Sequence, residues 1–201
     1  MSSFDILKKL EKFEKSYFTT TDLRKILSTG GVGFNTIVKR LTDKGVLERL
    51  NRGIYRLTTN PWQLEKIANQ LYYPSYLSFV SALSRYGIIN QIPYSLTFAT
   101  LKKSKTMTLT NTEVVYSQIK HELYFGYKLE GGINIAYPEK ALLDQIYLAS
   151  LGKAYLDFEE VTLVDLDKKR FNQYSKRFPN RVRKGIRQIK KRWGQVFVGV
   201  K

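Results

Sequence analysis

The first sixty residues alternate between helical and strand-like spacing of apolar positions. Ile6, Leu10 and Phe13 share one face of a predicted N-terminal amphipathic helix. A second helix is predicted from about Thr21 to Ser28, because the threonines at its start can cap free helix N–H groups. The pattern therefore predicts two short helices before the first glycine-rich stretch.

A turn and a third helix follow. Residues 28–33 are rich in glycine, which disfavours helix and predicts a turn. Phe34, Ile37, Val38 and Leu41 then form an apolar stripe with helical spacing, so this face is predicted to pack on a core. Polar side chains are left on the opposite, outward face.

Two strand-like runs predict a β-hairpin after this helix. Gly45 ends the helix, and residues 46–50 and 54–57 are joined by the turn Asn51-Arg52-Gly53. Asparagine and glycine tolerate positive φ, and Arg52 lies at the tip. Helix, turn, helix and basic hairpin in this order are typical of a winged helix-turn-helix, and they predict DNA binding. A protein–protein use of the same fold, with solvated arginines, is the alternative.

In this motif the helix that follows the turn, which is the third predicted helix of this chain, enters the DNA major groove. The hairpin reaches a phosphate or the minor groove. The residues predicted to contact DNA are Thr21, Asn35, Thr36, Lys39, Arg40, Arg49, Asn51, Arg52 and Arg56.

Composition narrows the class of partner. The formal net charge is +17, which favours a polyanionic partner such as DNA or RNA. From Lys168 onward the chain has thirteen Lys or Arg and no Asp or Glu. The chain has no cysteine and no apolar run long enough for a signal sequence or membrane span, so a soluble, cytoplasmic protein without a membrane partner is predicted.

A second domain is predicted from residue 60 to residue 201, after a winged-helix domain of residues 1–59. Asn60-Pro61 predicts the start of a helix, residues 76–86 predict another, and Pro138 begins a third that runs to about Ser150. Between them, β-branched and aromatic runs predict a small antiparallel sheet at residues 95–100, 106–109, 113–119, 123–129 and 133–136. With two basic C-terminal helices, the predicted class is α+β.

Several segments of this second domain carry a family resemblance. They are residues 73–83 (YPSYLSFVSAL), 86–88 (YGI), Tyr116, Gly126 and 136–144 (AYPEKALLD). Together they resemble the AbiEi antitoxin family. The resemblance implies a winged helix that represses its own operon and an antitoxin domain that opposes a nucleotidyltransferase-like toxin, in a type IV toxin–antitoxin system linked to abortive infection by phage. The family also includes proteins called simply transcriptional regulators, so a stand-alone regulator without a toxin is the alternative.

Charged and aromatic residues of this domain are open to two interpretations. Glu139 and Lys140 suit either a docking role or the first turn of a helix, and the neighbouring leucines favour a structural role. The tyrosines and phenylalanine of residues 72–86 are predicted to pack in the core rather than stack on bases.

The last helix is predicted to be amphipathic. Val182, Ile186, Ile189 and Trp193 form its apolar stripe. The basic residues around that stripe are predicted to contact phosphate or a toxin, with solvated charge and a membrane-surface helix as alternatives. They are Arg181, Lys184, Arg187, Lys190 and Lys191.

The chain offers few residues for catalysis. His121 is its only histidine, and no phosphate-binding glycine loop is present, so neither an enzyme nor a cofactor is predicted. Asp167-Lys168-Lys169, with acidic residues upstream, leaves a metal-dependent nuclease as a remote alternative.

Overall fold

The chain folds into two compact units. The computed structural model describes residues 2–28 and 31–196. The first unit comprises Met1–Ala68 and Thr108–Thr112, and the second comprises Asn69–Met107 and Glu113–Lys201. The functional boundary near residue 59 stays a prediction.

The first unit contains three helices and a three-stranded antiparallel sheet in the order β1-β3-β2. Its elements are α1 (Ser3–Glu11), β1 (Phe18–Thr19), α2 (Thr20–Leu27), α3 (Gly31–Asp43), β2 (Leu47–Asn51) and β3 (Ile54–Leu57). The predicted hairpin is therefore confirmed to within one residue at each end. β1 lies in a segment for which no strand was predicted.

Local caps and one apolar core hold these elements together. Ser2 and Thr19 each form a capping box at the start of α1 and α2. Side chains from all three helices and from the three strands pack into a single core. Phe13 is not part of it, because α1 ends at Glu11 and the Phe13 side chain is 47% exposed. The predicted place of Phe13 on the apolar face is therefore wrong.

Helix α3 begins within the glycine-rich stretch that was predicted to form a turn. Ser28 has a left-handed backbone with φ +52° at the end of α2, and Thr29 and Gly30 lie outside the described residues. α3 already begins at Gly31. Glycine costs about 1 kcal/mol in a helix interior, which is small enough for the packing of α3 to override it.

The remaining elements include a six-stranded sheet in the order β6-β7-β5-β4-β9-β8. They are α4 (Leu64–Leu71), β4 (Ser75–Leu77), α5 (Phe79–Arg85), β5 (Ser95–Thr100), β6 (Lys105–Leu109), β7 (Thr112–Gln118), β8 (Tyr127–Glu130), β9 (Ile133–Ala136), α6 (Pro138–Ser150), α7 (Lys168–Ser175) and α8 (Arg183–Val196). The α+β class is confirmed. The sheet is mixed rather than purely antiparallel, since β4 pairs parallel with β9 and β5 parallel with β7.

Two predicted helices begin later than expected. Residues 76–86 are not one helix: β4 includes Tyr76 and Leu77, and α5 starts only at Phe79. Both faces of this central strand are buried, so apolar and polar residues do not alternate along it. Without that alternation the sequence pattern does not distinguish the strand from a buried helix. The helix predicted from Pro61 begins at Leu64.

The predicted strand at residues 123–129 is also shorter. Leu123 is the last residue of a 3-10 turn, His121–Leu123, and the strand β8 begins only at Tyr127. Residues 163–166, whose sequence suits either a strand or the lead-in to a helix, form no strand; they contain a turn and directly precede the cap of α7, which begins at Lys168.

α6 carries a charged network inside the second unit. Its Lys140 ammonium donates to the Asp144 carboxylate and, at 2.8 Å, to the Tyr76 hydroxyl. Asp144 also accepts from Ser78 at 2.9 Å. Burial lowers the pKa of Lys140 and raises the pKa of Asp144, because a buried site disfavours both charged forms. These contacts are all internal, as the structural interpretation of this helix predicted.

The C-terminal stripe is confirmed, since Val182, Ile186, Ile189 and Trp193 are all buried. Within residues 2–28 and 31–196, no helix has both the length and the apolar character needed to cross a lipid bilayer.

Candidate nucleic-acid interface

The turn of the β2–β3 hairpin is tied to the start of α2. The Thr20 N–H donates to the Gly53 carbonyl at 2.9 Å, and the Thr20 hydroxyl donates to the same oxygen at 3.3 Å. Gly53 has φ +73°, the left-handed conformation that its position in the Asn-Arg-Gly turn requires. These two hydrogen bonds therefore fix the hairpin turn beside the start of α2.

A groove runs between α3 and this hairpin, with a volume of about 540 Å³. It brings together Asn35 and Lys39 from α3 with Arg49 and Arg52 from the hairpin. The full lining is Thr20, Phe34, Asn35, Val38, Lys39, Thr42, Asp43, Arg49, Arg52, Gly53 and Tyr55. Four of the residues predicted to contact DNA thus share one concave surface.

The groove is positively charged. The Lys39 ammonium lies 2.8 Å from the Asp43 carboxylate, and this hydrogen bond raises the pKa of Lys39, which keeps it protonated. Both side chains remain exposed. The Arg52 guanidinium has no partner among the described residues, while the Arg49 Nε–H donates only to the Asn51 carbonyl, at 3.4 Å. Arg49 and Arg52 are therefore accessible to an anion.

The other predicted contact residues lie outside the groove lining. Thr21, Thr36 and Arg40 are exposed on α2 and α3. The Asn51 side chain donates to the Thr108 carbonyl at 2.6 Å and accepts from the Arg52 N–H, so Asn51 shapes the turn.

Arg56 is engaged within the first unit. Its guanidinium donates to Glu48 at 2.7 Å and to the Asn60 carbonyl at 2.9 Å, and it stacks 4.6 Å from the Trp62 ring centre. Its side chain is only 13% exposed. This arrangement gives Arg56 a role in joining β3 to the following segment.

The sequence did not predict three of the groove's polar residues as contacts: Thr20, Thr42 and Tyr55. Asp43 lies four residues after Lys39, a spacing that predicts an ion pair on one helix face. Arg24 was also missed; its guanidinium is exposed and lies 4.4 Å from the Phe34 ring centre at the start of the α3 stripe.

The C-terminal basic residues belong to the second unit. Arg181, Lys184, Arg187, Lys190 and Lys191 are all exposed, the first in a 3-10 turn and the others on α8.

The acidic residues of the nuclease alternative have local roles. Asp167 caps α7 by accepting from the N–H groups of Lys169 and Arg170, and Asp157 accepts from the Glu159 N–H. Across the described part of the chain, no three His, Asp or Glu side chains cluster so as to hold a metal ion. That the protein is not an enzyme stays a prediction.

The order of helices and strands in the first unit, with a basic groove between α3 and the hairpin, defines a winged helix-turn-helix protein. Residues 5–58 match the family described as "Transcriptional regulator, AbiEi antitoxin", so the resemblance predicted from the sequence is confirmed for this segment. The match covers the winged helix and does not extend to residues 73–88 and 136–144, the segments whose sequence resembles the family. No curated protein matches the chain.

Proposed function

We propose that the groove between α3 and the hairpin binds double-stranded promoter DNA and that the protein represses its own promoter. The observation that carries the proposal is that Asn35 and Lys39 meet Arg49 and Arg52 on one concave, positively charged surface. An α-helix fits the major groove, and a basic hairpin beside it reaches the adjacent backbone or minor groove. The family that residues 5–58 match is described as a transcriptional regulator, which supports the same function.

The two sides of the groove have different tasks in this proposal. The Asn35 amide suits the hydrogen-bonding edge of adenine, and the Lys39 ammonium suits guanine or a phosphate. Arg52 at the hairpin tip contributes a phosphate or minor-groove contact, which fixes the register of α3 but reads little sequence.

Substitution of the groove residues tests this function. We expect Asn35→Ala/Lys39→Ala to weaken promoter binding by on the order of 1 to 3 kcal/mol for each base edge that the variant no longer reads, and to relax sequence preference. The control is Lys12→Ala, which removes the same net charge from the exposed end of α1, outside the groove lining. Gel-shift affinity for promoter and scrambled duplexes measures both effects. Unchanged promoter affinity in the double variant would refute the proposal.

The salt dependence tests the hairpin separately. Each phosphate contact contributes about 0.9 to the slope of log affinity against log salt concentration. We expect Arg52→Ala to reduce that slope by roughly one unit. If the slope does not change, the hairpin tip does not contact the backbone.

We further propose that the protein is the antitoxin of a type IV system and opposes a nucleotidyltransferase-like toxin in the cytoplasm as part of antiviral abortive infection. The support is the antitoxin family of residues 5–58. The alternative is a stand-alone regulator. Growth rescue on co-expression with a nucleotidyltransferase encoded beside this gene tests the proposal; a toxic neighbour that the protein fails to neutralise would contradict it.

A further inference from the structure

The second unit has a concentrated basic surface of its own. Six exposed cations lie within eleven residues at the start of α8 and in the turn before it, and we call them the C-terminal basic face. They are Arg181, Arg183, Lys184, Arg187, Lys190 and Lys191. Residues 183–191 span about 12 Å along the helix at 1.5 Å per residue.

None of the six forms an ion pair with a described carboxylate. Arg192, on the same helix, shows the contrast: its guanidinium donates to the Phe158 and Val161 carbonyls and lies 3.6 Å from the Glu159 carboxylate. The charge of Arg192 is thus bound within the fold, whereas the six neighbouring charges are exposed to solvent. Like charges this close repel one another, so the face is a cost to the folded protein unless an anion neutralises it.

The chemistry of this face distinguishes among anionic partners. A helix that lies on a membrane inserts an apolar face, but the apolar stripe of α8 is already buried against its own unit. Protein interfaces are anchored by aromatic or large apolar side chains at their centre, and no such side chain stands among the six cations, because the intervening described positions are the buried stripe, Gly185 and Gln188. A surface of cations alone suits a row of phosphates.

We infer that the C-terminal basic face binds the phosphate backbone of double-stranded nucleic acid without reading its sequence, as a site separate from the groove of the winged helix. A duplex carries one charge per about 1.7 Å of its axis, so a 12 Å row of cations meets about seven phosphates of the two strands. Arg183, Arg187 and Lys190 succeed one another at helical spacing, as do Lys184, Arg187 and Lys191, and each row suits successive phosphates. With no base contact, affinity depends on salt rather than on sequence.

The experiment uses the full chain carrying Asn35→Ala/Lys39→Ala/Arg52→Ala, which disables the proposed groove. Binding to a 30-base-pair duplex without promoter sequence is measured across a salt series. In this background, Lys184→Ala/Arg187→Ala/Lys191→Ala removes one row of cations, and alanine keeps α8 helical. The control is Lys103→Ala/Lys120→Ala/Lys153→Ala, which removes three exposed cations elsewhere in the second unit.

We expect the α8 triple variant to reduce the salt slope by about 2 to 3 units and, for equal affinities near 1 M salt, the affinity at 0.1 M salt by roughly 100- to 1000-fold. The control should change the slope by less than one unit. Equal losses in both variants would overturn the inference, as would an unchanged slope in the α8 variant or equal binding of a polyglutamate of matched charge. A second α8 variant, with glutamine at the same three positions, must show the same loss, which excludes an effect of alanine on folding.

The outcome is separable from that of the proposed function. Promoter preference over scrambled duplex is measured with the groove intact and α8 substituted. If the promoter preference persists and the α8 substitutions do not change the salt slope of binding, the inference fails and the proposed function stands.

Discussion

Gly53 connects the local turn of the hairpin to the helix-turn-helix. It has φ +73°, and a Cβ built on it would lie 2.9 Å from the Thr20 hydroxyl oxygen. The Asn-Arg-Gly turn predicts the positive φ, because only glycine adopts it without strain. The contact with Thr20, thirty-three residues away, could not be predicted from that turn.

Gly53→Ala should therefore destabilise the first unit. We expect the free energy of unfolding to fall by about 1 to 3 kcal/mol from backbone strain and crowding of Thr20. The matched control is Gly33→Ala in α3, where a Cβ meets nothing within 4 Å and φ is not positive; this change should be neutral or stabilise by up to about 1 kcal/mol. Urea unfolding measures both, and equal effects at the two glycines would contradict the argument.

Asp22, which takes part in the capping box of α2, has a pKa that the fold lowers. Burial acts to raise its pKa, but hydrogen bonds from the Lys15 ammonium at 2.8 Å and from the Thr19 N–H and hydroxyl outweigh that effect, so the pKa lies below its ordinary value of 3.8. The capping box itself is local, since Thr19 and Asp22 are three residues apart, and such a pair is recognisable in sequence.

The lowered pKa predicts a pH dependence with a definite sign. The stability that ionised Asp22 contributes is fully present above its unfolded pKa near 4 and is lost as pH falls through the lower folded pKa. We expect the urea midpoint of the first unit to drop between about pH 5 and about pH 3, and to drop less in Asp22→Asn. Identical pH profiles for the two proteins would show that Asp22 is not the titrating group.

Among the elements, strands β5 and β9 and helix α6 have the bounds that the sequence predicted. Each has clear local signals: β-branched runs for the strands and a first-turn proline for the helix. The sequence pattern predicts helix instead of strand at β4, because burial on both faces removes the period of a strand. The identity of β4 depends on β5 and β9, the neighbours with which it pairs.

The packing of α8 on α6 depends on Gly185. A Cβ at this position would lie 2.6 Å from the Ile146 side chain and 3.0 Å from the Phe158 ring. Gly185→Ala should lower the free energy of unfolding by about 1 to 3 kcal/mol through overpacking.

Gly194, on the same helix, is the matched control because a Cβ there meets nothing within 4 Å. We expect Gly194→Ala to be neutral or to stabilise by up to about 1 kcal/mol. Thermal unfolding of the two variants measures the difference; a Gly185→Ala protein as stable as Gly194→Ala would mean that the helices move apart without cost.

At the scale of the whole molecule, the two units are expected to divide the proposed activities. We expect residues 60–201 to oppose the toxin without repressing the promoter, and residues 1–59 to bind DNA only weakly. The weakness follows from a small core and from the removal of Asn60 and Trp62, the partners of Arg56. Reporter repression and growth rescue measure the two activities in each fragment.

A fragment of residues 1–68 restores those Arg56 partners and is therefore expected to be more stable than residues 1–59. Full repression by residues 60–201, or rescue by residues 1–59, would show that the activities are assigned to the wrong units.

The features predicted from the sequence alone depend on residues close together in the chain: the α+β class, the cap of α2, the hairpin turn, and the apolar stripes of α3 and α8. Capping, turn geometry and amphipathic period act over a few residues, so a short segment specifies them. The folded chain was needed to establish the parallel strand pairings, the groove shared by α3 and the hairpin, and the burial of Lys140 with Asp144 beside Tyr76. Their partners are distant in sequence, and each contact exists only because the rest of the fold brings the two sides together.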